Sequence, residues 1–524
     1  MKRREFLKLC VAAGFFAAMP DLVGCGAKMP KMKVGAGKAL AIVNGRVVDV
    51  VKGRVFTNAT IIIEGNRIKT VDFGPAPKPS GVLDILDAGG LYLIPGLMDA
   101  HCHSTSSGSF SIKSLEAWRH LFQIRRQAEA CIGTGVTTIR DVGAFPGILH
   151  ENIREIESGV LNGPRIVFCN AILNVAGGHP DIPPTDVNAF ANVSSISIGM
   201  LMTNYANERE RERALRENCT DANFVKLTVD RESLFRGKGE IPAYSDDDLK
   251  RIFGFAEDRS LPVVCHCLSK WGFDRMKAWP VHSLEHIVAD ELLTEREVEL
   301  FARTGTAVVP TITLAETFLI EEAYSTLPRE YNTDFVRDEL VRRREYIHNV
   351  PAFQCDPKIH ADNLASLNFY RQYSPKEMIE HKIYMAKPEP FFNMAIKGVA
   401  NLLAMRQAGV PIGVGMDAGL PFAYFGSLHR ELEMLHRIGF TLPEVLKAAT
   451  IVNAKILGVD DRLGTLSDGK GADIVALVKN PLEDSTAYRE VEMVWKDGRL
   501  VHSRHEPHRR DDGVLAAAKH GMAA

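Results

Sequence analysis

With 524 residues, 46% of them hydrophobic and 24% charged, the chain can bury a large core and does not have a disordered composition. Its 63 basic and 65 acidic residues leave a net charge of -2, so no basic field points to nucleic acid. Length alone allows several domains, but an α/β barrel of about 250 residues or more can form one unit.

Residues 1–25 read as a targeting segment rather than as fold. Arg3-Arg4-Glu5-Phe6-Leu7-Lys8 resembles a twin-arginine export signal, and the apolar stretch from Val11 to Met19 is too short to span a bilayer. Leu22-Val23-Gly24-Cys25 resembles a lipobox, in which Cys25 is lipidated and becomes the mature N-terminus. On that reading the protein sits on the periplasmic side of the cell envelope, and its one membrane contact is the lipid anchor. A plain cleaved signal with Cys25 incidental is the alternative. Setting Cys10 and Cys25 aside, the 9 cysteines leave an odd number with no C-x-x-C pair, which is not a disulfide framework. Cys265 and Cys267 flank His266, and on a strand their sulfurs point away from it into packing.

Residues 38–94 read as short strands, with Asn44-Gly45 and Gly65-Asn66 as turns. A similar pattern returns over 461–503, so the two chain ends are expected to form one small β-sandwich domain. Next comes the apolar run 91–100, which ends in His101-Cys102-His103. A strand places residues i and i+2 on one side, so these two imidazoles can grip one metal ion together. Further β-type runs follow at 136–140, 165–169, 224–227, 262–266, 282–286, 306–310 and 411–417, separated by helical stretches. About eight such alternations indicate a (β/α)8 TIM barrel over 95–460. Barrels of this kind build their sites at the C-terminal ends of the strands. Lys226, His266, His286 and Asp417 lie at or near those ends.

Two segments, near 180–220 and 314–395, are too long for ordinary loops. Both are expected on the catalytic side, as a lid or as oligomer helices. Residues 504–524 read as a disordered tail.

The ordered set of histidines, lysine and aspartate carries a resemblance. Pro95-Gly96-Leu97-Met98-Asp99-Ala100-His101-Cys102-His103 resembles the opening signature of the amidohydrolase superfamily. Gly135-Val136-Thr137-Thr138-Ile139-Arg140-Asp141-Val142-Gly143 and Gly163-Pro164-Arg165 are similar to its imidazolonepropionase-like and prolidase-like (Xaa-Pro dipeptidase-type) branch.

The resemblance implies two divalent metal ions, with zinc the expected metal. His101, His103 and Asp417 would hold the first, and His266 and His286 the second. Lys226, carboxylated by CO2, would bridge them. A metal-activated hydroxide would attack an amide carbonyl, with Asp417 as proton shuttle. His179, in a Gly-Gly-His resembling that branch, would support the oxyanion or bind a substrate carboxylate. Tyr244 is a weaker candidate for substrate contact. Arg140 and Asp141 read as a structural ion pair beneath the site.

The expected substrate is a small amide or peptide, a dipeptide or N-acyl amino acid. The alternatives are a mononuclear cyclic-amide hydrolase of imidazolonepropionase type and a deaminase. Many deaminases of the superfamily carry a glutamate where this chain has Ser269, which counts against the latter. Homo-oligomers, frequent in the family, are left open.

Overall fold

The computed structural model describes residues 39–74, 77, 83–109, 117–180, 201–234, 239–372 and 387–504. The leader with Cys25, the tail from residue 505 and parts of both long segments lie outside the described residues. The N-terminal part supplies β1 (Ala39–Asp49), β2 (Arg54–Glu64), β3 (Arg67–Asp72), β4 (Leu83–Asp87) and β5 (Tyr92–Pro95). The middle of the chain supplies β6 (Leu97–Cys102), β7 (Val136–Asp141), β8 (Arg165–Phe168), β9 (Ile172–Val175) and β10 (Met202–Tyr205). It continues with β11 (Val225–Thr228), β12 (Val263–His266), β13 (Ser283–Glu285) and β14 (Ala307–Val309). The C-terminal part adds β15 (Ile474–Leu477), β16 (Val491–Lys496) and β17 (Arg499–Ser503).

The two chain ends do share one sheet, in the order β17-β16-β15-β5-β1-β2-β3 with β4 on β1. The join is the antiparallel pair β5–β15, with Tyr92 opposite Leu477 and Pro95 opposite Ile474. Leu40 and Ile42, Ile61 and Ile63 repeat at period 2, so each pair faces one side. They pack with Ile68, Leu93, Ile474 and Trp495 in a separate core.

The middle of the chain is α/β with parallel sheets, as a TIM-barrel-type fold requires. β6-β7-β8 form one parallel sheet, and β10-β9-β11-β12-β13-β14 form the other. Asn170, at φ 62°, breaks the run 165–175 into β8 and β9. Residues 411–417 form no regular strand, although the sequence pattern suggests one. Their backbone is nevertheless bonded on both flanks: Gly413 donates to Val308 O at 2.9 Å, and Ala100 donates to Val414 O at 2.9 Å. Gly415 is the reason the chain can pass so close. A Cβ there would lie 2.6 Å from His101 Cβ.

The intervening helices begin where the sequence supplies caps. Ser245 and Asp248 form a capping box at Asp246–Glu257, and Thr294 and Glu297 form one at Glu295–Ala302. The 180–220 segment contains β10, added parallel to β9, and the helix Glu208–Cys219. The 314–395 segment contributes the helices Asp334–His348 and Pro357–Gln372. It packs against the loop after Asp417: Gln354 donates to Gly426 O at 2.9 Å, and Asn363 donates to the Tyr424 hydroxyl at 2.8 Å. Among the described residues, no helix is long and apolar enough to cross a membrane.

Candidate active site

His101 and His103 leave the C-terminal end of β6 on the same side. Lys226 lies on β11, His266 ends β12, His286 follows β13, and Asp417 follows the irregular segment 411–416. The six residues named from the sequence come together in one cluster, five of them buried and His266 partly so. Asp417 Oδ1 is 3.2 Å from His103 Nε2 and 3.4 Å from His101 Nε2. The His286 ring lies 4.8 Å from that of His101 and 4.4 Å from that of His266. Lys226 is coupled electrostatically to Glu285 and Asp417. His286 and Asp417 both adopt left-handed backbone, at φ 68° and 53°. For non-glycine residues such strain costs about 1–3 kcal/mol each and gathers at functional sites.

The hydrogen bonds fix which ring nitrogens carry lone pairs. His103 Nδ1 lies 2.8 Å from the carbonyl of Gly143, which can only accept, so Nδ1 holds the proton. His101 Nδ1 lies 2.6 Å from the Glu285 carboxylate and is likewise the donor. With both Nδ1 atoms committed as donors, each Nε2 faces a carboxylate oxygen, and a neutral ring would aim a lone pair at it. Three electron pairs meeting in a buried space repel unless a cation or a proton sits among them. Lys226 Nζ, His266 Nε2 and Asp417 Oδ1 are also buried without a hydrogen-bond partner among the described residues. The donor set is imidazole and carboxylate, which suits zinc or another divalent first-row metal. The ligand atoms of His101, His286 and Asp417 lie within 4.8 Å of one another, and so do those of His179, Asp230 and His266.

Burial shifts the titrations. Lys226 is pushed down, first by desolvation and then by Arg140, against the pull of Glu285. His266 and His286 are held well below the ordinary imidazole range by burial and by neighbouring imidazoles, which keeps them neutral. Burial opposes charge on Asp417 too, but His101 and His103 outweigh it and hold the carboxyl well below its usual range.

Beneath the cluster lies a network whose anchor the sequence did not reveal. Glu285, fully buried, accepts from His101 Nδ1, from Arg140 Nη2 at 2.6 Å and from Ser283 Oγ at 2.6 Å. Arg140 also donates to Ala100 O at 2.7 Å. The expected Arg140–Asp141 pair does not form. Adjacent strand residues point to opposite faces, and Asp141 instead accepts from Ser104 N and Gly143 N. Burial raises the Glu285 carboxyl, but Arg140 and His101 overcome it and keep it ionised. A carboxylate holding a ligand imidazole by its far nitrogen fixes the ring's tautomer and orientation.

Two further expectations meet different geometry. Tyr244 is buried, and its hydroxyl donates to Leu173 O and accepts from Thr228 N at 3.3 Å. These bonds spend the hydroxyl on bracing β9 against β11. His179 lies beside the cluster, with its ring 4.5 Å from that of His266. Its Nδ1 donates to Glu232 O at 2.8 Å, so the neutral ring presents a lone pair at Nε2. Support of an oxyanion would require the imidazolium. The seven described cysteines are all free and buried, and Cys265 and Cys267 are packed away as expected.

The amidohydrolase family model matches residues 92–501, and the chain belongs to that family. The chain is similar to ochratoxinase from Aspergillus niger, at 25% identity over 428 residues, covering 78% of this chain and 75% of the relative. It is also similar to an uncharacterized protein of Mycobacterium tuberculosis, at 24% identity over 82% of this chain and 90% of that one. Among solved structures, a prolidase complexed with N-methylphosphonate-L-proline aligns with TM-score 0.65 and 22% identity, over 89% of this chain and 100% of the other. A Xaa-Pro dipeptidase with bound methionine aligns with TM-score 0.65 and 23% identity, over 89% and 100%. These structures share the fold. Family membership makes the protein a hydrolase of a class that is generally metal-dependent and acts on small molecules.

Proposed function

We propose that the protein is a metal-dependent hydrolase cleaving the C–N bond of a dipeptide or N-acyl amino acid. The observation that carries this reading is the meeting of His101 Nε2, His103 Nε2 and Asp417 Oδ1, three electron pairs facing one buried point. The likeness to ochratoxinase and to prolidase-type structures supports an amide substrate. The reading assumes a closed (β/α)8 barrel, for which the bonds from 411–417 to β6 and β14 argue. It also takes the eight-stranded sheet as a sandwich-like domain around its own core.

In this reading His101, His103 and Asp417 hold one divalent cation, and His266 and His286 a second. A ligand atom of His286 also lies within 4.8 Å of those of His101 and Asp417. The neutral amine of Lys226 would attack CO2, forming an N–C bond as one C=O π bond opens and a proton leaves, and the carbamate would supply an anionic ligand oxygen. Bound cations would supply Lewis acidity and a water whose pKa approaches about 7. Asp417, kept ionised, takes the proton of the nucleophile and returns it to the leaving nitrogen. Glu285 holds His101 in its ligand tautomer, and Gly143 does the same for His103. The 314–395 helices, which pack on the loop after Asp417, would cover the substrate and exclude water. The leader reading stands beside this as a proposal: export by a twin-arginine signal and lipidation at Cys25, which mass measurement of the mature N-terminus tests.

The test is turnover of a panel of dipeptides and N-acyl amino acids by zinc-loaded protein. Hydrolysis that chelator abolishes and added zinc restores is expected. Ring opening of a cyclic amide, with no dipeptide cleaved, would replace this reading with the mononuclear one.

A further inference from the structure

Asp230 has no assigned role in this site. It follows β11 in a polar stretch, yet it is buried, with 3% of the residue exposed. A carboxylate buried this deeply needs compensation. Part of it comes from the turn after β12. Asp230 Oδ1 accepts from Ser269 N at 3.0 Å and from Ser269 Oγ, and Oδ2 accepts from Leu268 N at 2.8 Å.

These bonds leave a lone pair on Oδ2. That oxygen lies 3.4 Å from His266 Nε2, too poorly directed for a hydrogen bond, and His266 Nε2 finds no other partner among the described residues. His179 completes the set. Its Nδ1 proton is committed to Glu232 O, so Nε2 carries a lone pair, and its ring lies 4.5 Å from that of His266. Ligand atoms of the three residues lie within 4.8 Å of one another. Two imidazoles and one carboxylate match the donor classes of a zinc site.

We propose that His179, Asp230 and His266 form the second cation position of this protein, with Asp230 a direct ligand. This rests on the two-cation reading and deepens it: Asp230 and His179 would join His266 and His286 on the second ion. The same assignment takes His179 out of oxyanion support and makes it a ligand. The rigid Ser269 and Leu268 bonds would hold the carboxylate oriented before the ion arrives.

The test uses full-length protein stripped with chelator and titrated with zinc alone. Wild type is expected to bind two ions. Asp230→Asn and His179→Gln should each weaken one of the two by at least tenfold and leave the other intact, with the retained ion reporting the fold. Weakening alone could follow from lost orientation, so Asp230→Cys loaded with cobalt(II) supplies a direct readout. A thiolate–cobalt charge-transfer band, absent from the wild type, is expected if position 230 touches the ion. Two zinc ions bound with unchanged affinity in either Asp230→Asn or His179→Gln would overturn the assignment and leave the two-cation reading standing. Absence of the charge-transfer band in Asp230→Cys would also overturn it. A single ion in the wild type would instead remove the two-cation reading itself.

Discussion

Replacing Glu285 by glutamine probes the network beneath the site. The carboxylate is fully buried and serves His101, Arg140 and Ser283 at 2.6 Å each. Glutamine keeps the shape and one carbonyl acceptor but loses the charge, so buried Arg140 is left without its counter-ion. Breaking a buried pair from one side costs about 3–5 kcal/mol. The residual acceptor places this variant near the lower end, about 3 kcal/mol. The His101 imidazole also loses the carboxylate that fixes its tautomer, which lowers metal affinity by about 10- to 100-fold.

Denaturant unfolding of chelator-stripped protein reads the first effect, and zinc titration against a competing chelator reads the second. The double variant Arg140→Met with Glu285→Leu separates them. Replacing both charges with apolar groups should restore most of the stability, while zinc affinity stays low because His101 remains unoriented. Unchanged zinc affinity in Glu285→Gln would refute the argument that this carboxylate sets the ligand histidine.

Tyr244→Phe removes a hydroxyl spent on Leu173 O and Thr228 N, so it should cost about 1 kcal/mol of stability and leave KM unchanged; a raised KM would return Tyr244 to the substrate pocket. Asp417→Asn should keep the fold and lower kcat by about 10²- to 10⁴-fold, checked by steady-state kinetics beside a melting curve. Burial raises the Glu431 carboxyl from 4.5 to about 7, against the bonds it accepts from Ile312 N and Thr313. Between those values the native carboxyl keeps a proton that the unfolded chain has released. The contribution of Glu431 to the stability of the metal-free protein should therefore fall by about 3 kcal/mol as pH rises through this window, beside that of Asp99, which burial also raises to about 7. Glu431→Gln should flatten that dependence, and a slope unchanged in the variant would assign it elsewhere.

What could be read in advance follows from where each residue sits. His101, His103, Lys226, His266, His286 and Asp417 each close an apolar run, and the strand ends of a parallel sheet share one edge, so linear order foretells a cluster. Glu285 stands beside His286 in the same run, and strand alternation sets the two on opposite faces. The available signal was a charge inside an otherwise buried strand, where acidic residues survive only when paired. Asp230 lies among Asp230, Arg231, Glu232 and Ser233, a stretch that looks like a solvated loop. Its burial depends on the distant turn at Leu268 and Ser269, which periodicity cannot report. Nothing local to Tyr244 says that its hydroxyl spans β9 and β11. The run 411–417 carries the expected position but not regular strand form, because Gly413 and Gly415 let it pass under neighbouring side chains.

Metal content per chain tests most directly whether two cations are held through Lys226. Protein purified from the folded cytoplasmic form would be measured beside Lys226→Ala, with dipeptide hydrolysis assayed on both. Two metals per wild-type chain, with metal and hydrolysis lost together in the variant, is the predicted result. One metal per chain, unaffected by removing Lys226, would contradict the account.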